Sequence, residues 1–146
     1  VYTGNQVVGP TGAGLAVLVA DFGAGNAGAS VKLDTMNVAI PVGATTTSSG
    51  LQALIFNQAP SATYTDAVIP PVDATDAARL VRCAVLGLTL SLVATSRILP
   101  GSTPAPLAQV TTLDASGRLY FVFVSSGGNT WTTPGVATWS MQVLKA

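Results

Sequence analysis

The sequence predicts an all-β protein, an antiparallel β-sandwich of jelly-roll type with one short helix near residues 73–80. Three observations lead to this prediction. Eight or so short runs are rich in apolar and β-branched residues, turn-forming residues recur at short intervals, and only one stretch carries a helix start signal. A chain of 146 residues suits one hydrophobic core. We therefore expect an N-terminal arm over residues 1–14 and a single β-sandwich domain over residues 15–146.

The first third of the chain reads as short strands separated by polar turns. A strand is predicted over Leu15–Ala20. The apolar residues then lie at odd positions near Val31 but at even positions from Met36 onward. Because side chains in a strand alternate with a period of two, this change of phase requires a bulge or a break, which we place at Asp34–Thr35. Residues 43–50 are predicted to form a polar loop.

The rest of the chain is organised around the stretch from Leu51 to Val93. It is predicted to hold two buried strands, Leu51–Phe56 and roughly Val81–Val93. The long connection between them is interrupted by Pro70-Pro71 and has a helix start signal at Asp73.

The last third contains the clearest hairpin pattern in the sequence. Two β-rich runs, Leu107–Leu113 and Arg118–Val124, flank the segment Asp114–Gly117. Asp first and Gly last suit a type I turn closed by a residue with positive φ. After a loop over Ser125–Gly135, a final strand over Val136–Leu144 is predicted. Its apolar residues share one face: Trp139, Met141 and Val143.

Charge is scarce and balanced. Only 8% of residues are charged, where about 25% is usual, and the formal net charge is zero. Nucleic-acid binding is not expected, because it depends on Lys and Arg neutralising phosphates. No run of 18 apolar residues indicates a membrane span, so we expect no membrane partner. A protein this close to neutral tends to associate, which favours a subunit of an assembly.

The segment from Asp73 to Asp76 precedes residues that favour helix. Asp73 is predicted to cap a helix through its carboxylate, and Asp76 lies in the first turn, where the helix dipole favours an anion. The alternative is a calcium site formed by Asp66, Asp73 and Asp76. Neither an Asp-x-Asp-x-Asp loop nor a glutamate supports calcium, so capping is the preferred interpretation, and no metal is expected.

Catalytic chemistry is not expected. The chain has no histidine, which is the commonest general base and a frequent metal ligand. Its one cysteine, Cys83, lies among apolar residues and is predicted to be a small inert hydrophobe. The Gly-rich pieces lack the lysine of a phosphate-binding loop. We therefore predict a protein that is not an enzyme and needs no cofactor.

Two features point instead to binding surfaces. Trp131 and Tyr64 fall in predicted loops, where an aromatic ring can stack on a sugar or anchor a partner, or can fold back over the sandwich. Tyr120, Val122 and Val124 form a second apolar face on the strand that ends at Val124. A strand that is apolar on both sides must be covered on both sides. A subunit interface or the chain's own arm can provide this cover, and Trp131 joins these three residues as an interface candidate.

Several segments resemble a family of small virion proteins of tailed bacteriophages. They are Tyr2–Gly9, Leu54–Phe56 with Pro60, Thr63–Asp66, Asp73–Leu80 and Leu119–Tyr120. In such proteins an Asp-rich short helix and a Leu-Tyr strand occupy the corresponding places. The similarity spans Tyr2 to Leu144, and its motifs are structural.

The resemblance implies a head decoration (cement) protein that stabilises the head. Its partners would then be the major capsid protein and further copies of itself, with a trimer slightly favoured over a dimer. It would be made in the host cytoplasm and lie on the outer capsid surface of the virion. The alternative is a binding module of a phage fibre or spike, with loop aromatics contacting host glycan.

Overall fold

A computed structural model describes residues 4–10, 12, 14–41, 44–46, 51–86, 91–93, 96–99, 109–125, 129–131 and 138–146. Twelve strands are assigned in these ranges: β1 Val7–Val8, β2 Leu18–Asp21, β3 Ser30–Pro41, β4 Ala44–Thr46, β5 Leu51–Phe56, β6 Leu80–Leu86, β7 Ser91–Val93, β8 Ser96–Leu99, β9 Gln109–Thr112, β10 Arg118–Ser125, β11 Asn129–Trp131 and β12 Thr138–Lys145. One α-helix, α1, spans Ala74–Arg79, and a single 3₁₀ turn spans Ala24–Asn26.

The first sheet has five strands and is antiparallel in all its pairings. Its order is β1-β10-β5-β6, and β2 also pairs with β10. Strands β1 and β2 lie end to end along one side of β10, since Val7 is opposite Val124 and Leu18 is opposite Phe121. Strand β10 is therefore enclosed on both sides, and β6 lies at the edge of the sheet.

The second sheet is built on the 12-residue strand β3. Its order is β12-β3-β8-β7, and β9 pairs with the start of β3. Thr35 lies opposite Gln142 and Leu33 opposite Val143, so Asp34 is the extra residue of a β-bulge. The break of phase predicted at Asp34–Thr35 is confirmed, and the bulge lets β3 continue without a gap. A separate two-stranded sheet pairs β11 with β4.

The main core lies between the two five-stranded sheets. Leu33 and Met36 from β3 pack in one buried cluster with Leu119, Phe121 and Phe123 from β10. Three residues of β12 complete this cluster from the second sheet, as predicted from their shared face: Trp139, Met141 and Val143. The Trp139 ring lies 4.9 Å from the Phe121 ring, centroid to centroid. The all-β antiparallel sandwich predicted from the sequence is confirmed, whereas its jelly-roll connectivity stays a prediction.

Two predicted strand arrangements are wrong. The run Val81–Val93 is not one strand, because β6 belongs to the first sheet and β7 to the second. The hairpin around Asp114–Gly117 is also not formed, because β9 pairs with β3 while β10 pairs with β2 and β5. The turn itself has the expected geometry, with Gly117 at φ 78°. The residues of the turn determine the change of chain direction. Burial of both faces of β10, however, determines that this strand lies in the first sheet, whereas β9 lies in the second.

Three smaller boundaries also differ from the predictions. Residues 44–46, placed in a polar loop, form β4, and residues 129–131, placed in another loop, form its partner β11. The strand predicted over Leu15–Ala20 begins later and spans Leu18–Asp21. The predicted arm contributes β1 to the first sheet, so this part of it is integral to the fold. The loop predicted over residues 125–135 and the first residues of the last strand lie partly outside the described residues.

Candidate functional site

A layer of chain covers the outer face of the first sheet, on the side away from the main core. It consists of residues 57–79, which connect β5 to β6; we call it the covering layer. Backbone hydrogen bonds join it to β1: Val7 donates to the Val68 carbonyl and Ala67 to the Val7 carbonyl. Beneath it lies a second buried apolar cluster: Val7, Ala16, Leu54, Phe56, Tyr64, Val122 and Val124.

Helix α1 lies in this layer and begins as the sequence predicts. The Asp73 carboxylate accepts a hydrogen bond from the backbone N–H of Asp76 at 2.8 Å, so the predicted cap is confirmed. At the other end, the Arg79 guanidinium donates to the Ala59 carbonyl. A basic residue there also suits the negative end of the helix dipole. The Asn57 N–H also donates to the Arg79 carbonyl, so the last residue of the helix is joined to the turn that follows β5.

The Asp76 carboxylate organises the interior of the covering layer. It is fully buried and accepts four hydrogen bonds. The donors are the Ser61 N–H (2.6 Å), the Ser61 hydroxyl (2.9 Å), the Ala62 N–H (3.3 Å) and the Tyr64 hydroxyl (3.0 Å). Burial acts to raise the pKa of this carboxyl, but the hydrogen bonds from Ser61, Tyr64 and Ala62 outweigh it and hold the pKa below its ordinary value. Asp76 is therefore a buried anion that holds residues 61–64 in place.

Tyr64 is buried and is not a loop aromatic open to solvent. Its ring packs against Phe56, with centroids 6.0 Å apart, and its hydroxyl donates to Asp76. Burial, followed by the hydrogen bond to the Asp76 carboxylate, raises the pKa of the phenol. Of the two alternatives for Tyr64, the structure shows the one in which the ring folds back over the sandwich, because an aromatic ring beside an apolar sheet face is stabilised by covering it.

The three aspartates of the calcium alternative do not converge on a common centre. Asp66 accepts a hydrogen bond from the Gly9 N–H through Oδ1, Asp73 caps the helix, and Asp76 binds residues 61–64. Within the described ranges, no group of three or more His, Cys, Asp or Glu side chains is placed to hold a metal ion. Protein donors bind Oδ1 of Asp66, Oδ1 of Asp73 and both carboxylate oxygens of Asp76.

The chain itself covers the valines proposed as an interface. Val122 is 0% exposed and Val124 is 4% exposed, and both lie under the covering layer. Tyr120 is half-buried, and its hydroxyl donates to the Asp114 carboxylate at 2.7 Å. Of the two explanations for the second apolar face of β10, the structure shows the intramolecular one. Trp131, placed in a loop by the sequence, lies in β11, and its side chain is outside the described part of the structure.

The outer surface of the covering layer carries an apolar segment that sequence reasoning missed. Val68, Ile69 and Val72 are 50%, 69% and 40% exposed, and Pro70 and Pro71 stand between them. None of the five residues is charged. The signal is present in the sequence as Val-Ile-Pro-Pro-Val, although the two prolines by themselves predict only a break. We call residues 68–72 the apolar segment.

The start of the apolar segment is fixed to the rest of the fold. Val68 accepts a hydrogen bond from the Val7 N–H at 2.8 Å through its carbonyl and donates its own N–H to the Thr65 carbonyl. The Gln6 side-chain amide donates to the Ala67 carbonyl at 2.7 Å. Ala67 has φ 60°, a conformation that costs free energy for any residue other than glycine. These contacts fix the position of Val68, the first residue of the apolar segment.

The edge strand β6 presents a second exposed apolar surface. Cys83 and Val85 are exposed on the outer face of the strand. The prediction that Cys83 lies among apolar residues is therefore wrong, because its side chain is exposed. Alternation along β6 decides this, because Ala84 and Leu86 point into the main core and their neighbours must point outward.

Comparison of the chain with protein-family models, with curated proteins and with solved structures found no match. None of the helices in the described ranges is long and apolar enough to cross a membrane. The described residues thus define a β-sandwich whose distinctive surfaces are an apolar segment and a sheet edge.

Proposed function

We propose that the chain is a structural protein of a tailed-phage virion, a decoration (cement) protein that binds the outer surface of the capsid and stabilises the head. The observation that carries the proposal is the apolar segment, with three large exposed aliphatic side chains and no charge. The resemblance of the sequence to such proteins supports the same role. The partner is the major capsid protein, and the reaction is binding alone.

The apolar segment has the properties of a docking surface. When a partner covers neighbouring exposed aliphatic side chains, each Å² of apolar surface removed from water stabilises the complex by about 25 cal/mol. The two prolines fix φ, and the hydrogen bonds of Val68 fix the start of the segment, so little conformational entropy is lost on binding. A rigid, uncharged surface of this kind suits a lattice whose contacts are apolar and whose subunits repeat.

The experiment mixes purified protein with capsids that lack it and measures the bound fraction by sedimentation. The test variant is Ile69→Asp, which places a charge in the middle of the apolar segment. The matched control is Val110→Asp, since Val110 is exposed to a similar degree, 53% against 69%, but lies on β9 in the other sheet. We expect Ile69→Asp to abolish binding and Val110→Asp to leave it unchanged. Equal loss in both variants, or in neither, contradicts the docking role of the segment.

Copy number per particle tests the virion role itself. A decoration protein occurs in a number comparable to that of the major capsid protein, whereas a fibre or spike module occurs in only a few copies. Quantitative mass spectrometry of intact particles measures this ratio. A few copies would replace the decoration role with the fibre alternative. That alternative depended on loop aromatics, and Tyr64 is no longer one of them because it is buried.

A further inference from the structure

The apolar segment is confined to an extended backbone by its own sequence. From residue 69 to residue 73 the chain contains neither turn nor bend. Pro70 and Pro71 each fix φ at about −65°, and a residue that precedes proline is confined to extended or polyproline II backbone. That restriction applies to Ile69 and to Pro70, and Asp73 is itself extended, with φ −91° and ψ −179°. The middle of the segment therefore has the conformation of a polyproline II helix.

The side chains of the segment have the exposure that such a helix would give them. Polyproline II has about three residues per turn and a rise of about 3.1 Å per residue, so residues three apart share an edge. Ile69 and Val72 share one edge, and both are exposed. Pro71 lies on the second edge and is exposed, whereas Pro70 lies on the third edge and is half-buried. Two of the three edges are thus available to a partner.

The backbone of the segment offers more acceptors than donors. Every residue from 69 to 72 has a carbonyl oxygen, but only Ile69 and Val72 have an N–H, because proline has none. None of these groups is hydrogen-bonded to another described residue. A partner that covers the segment must therefore supply N–H or O–H donors beside an apolar surface. Its contact surface must also be uncharged, because the segment has no charge to pair with a buried one.

Trp and Tyr side chains combine these properties, since each has a large apolar ring and one donor, the indole N–H or the phenol O–H. Grooves lined by aromatic rings bind polyproline II segments in this way, at a low cost in conformational entropy. We propose that the apolar segment binds as a preformed polyproline II ligand in an uncharged groove lined by Trp and Tyr. The rings contact Ile69, Pro71 and Val72 and donate to the carbonyls of the segment. That the groove belongs to the major capsid protein rests on the proposed function.

The first experiment measures the affinity of the full chain and of Pro71→Leu for capsids that lack the protein. Leucine keeps an apolar side chain but frees φ and adds an N–H. The matched control is Pro10→Leu, because Pro10 is also exposed but lies outside the apolar segment. We expect Pro71→Leu to weaken binding at least about threefold, since the bound backbone is no longer preformed, and Pro10→Leu to bind like the wild type.

Two results of this experiment overturn the binding mode and leave the decoration role intact. One is a Pro71→Leu variant that binds as tightly as the wild type, because any apolar surface would then suffice. The other is equal weakening in Pro71→Leu and Pro10→Leu. A wild type that does not bind capsids overturns the proposed function instead, and the ligand is then still tested without capsids.

The second experiment uses indole as the probe and follows the methyl signals of the isotope-labelled full chain by NMR. We expect indole to shift the signals of Ile69 and Val72 and to leave those of Val110 and Leu144 nearly unchanged, although all four residues are exposed. The matched probe is 1-methylindole, which has the same rings but no N–H donor. We expect indole to reach half-saturation at the lower concentration, whereas burial of apolar surface alone would favour 1-methylindole. The opposite order, equal shifts at Val110 and Leu144, or no shift at Ile69 and Val72 overturns the binding mode.

Discussion

Replacing Asp76 by alanine should destabilise the protein far more than replacing Asp73, although both aspartates lie at the start of the same short helix. Asp73 is exposed and provides one capping bond, to the Asp76 N–H. Loss of such a cap costs about 1 kcal/mol of the free energy of unfolding. Asn should replace Asp73 with little loss, because its amide oxygen accepts the same bond.

Asp76 is a different case, because its side chain is buried and has four donors. Alanine at this position leaves the Ser61 N–H, the Ala62 N–H and the Tyr64 hydroxyl without their acceptor. A buried polar group that loses its partner costs about 1–3 kcal/mol, and loss of one member of a buried charged network typically totals about 3–5 kcal/mol. We expect Asp76→Ala to fall in this range. Asp76→Asn should be intermediate, because an amide provides only one acceptor oxygen.

Urea unfolding followed by tryptophan fluorescence and by far-ultraviolet circular dichroism measures both variants. Coincidence of the two transitions tests whether unfolding is two-state, which extrapolation to zero urea requires. An Asp76→Ala cost no larger than that of Asp73→Ala would refute the reasoning, because it would mean that the covering layer does not depend on the buried carboxylate. A wild type destabilised by a chelator would revive the calcium alternative.

Three further outcomes follow from the structure. Hydrogen bonds hold the pKa of Asp76 in the folded protein below its value in the unfolded chain. The stability that Asp76 contributes is therefore complete above the unfolded pKa and is lost as the pH falls through the folded pKa. Asp76→Asn should reduce the fall of the unfolding free energy at acid pH. Gly117→Ala should lower the melting temperature strongly, since Gly117 has φ 78° and an added Cβ would lie against the Gly23 carbonyl oxygen. Binding to capsids should change little between low and moderate salt, because the apolar segment carries no charge. A steep salt dependence would contradict the proposed contact.

Much of the fold could be predicted because it depends on local pattern. Strand β5 has the predicted bounds, since in the sequence its apolar residues lie between the polar run Thr45–Gly50 and the turn residues that begin at Asn57. The bulge at Asp34 follows from a change of phase that a strand cannot otherwise accommodate. The cap at Asp73 follows from a carboxylate placed before good helix formers. In each case a few neighbouring residues contain all the information.

Sheet membership could not be predicted in the same way. Strands β9 and β10 are joined by the predicted turn, yet they lie in different sheets, because β10 needs neighbours on both sides and cover on both faces. Burial of Asp76 was also not predictable from its position in the first turn of a helix. Its donors are 12–15 residues earlier in the chain, and only the folded covering layer brings them together.

The covering layer changes where a partner can bind. A strand that is apolar on both faces in the sequence predicts a subunit interface. In this protein the chain itself buries the second face of β10, so Val122 and Val124 are not accessible to a partner. The cost of ordering a 23-residue connection is offset by the apolar cluster beneath it and by the hydrogen bonds to Asp76. Its outer surface then displays the apolar segment, fixed in direction by the contacts of Val68. The same connection thus buries one apolar surface and presents another. A partner that approaches the outer face of the first sheet over Val122 and Val124 therefore meets this connection first.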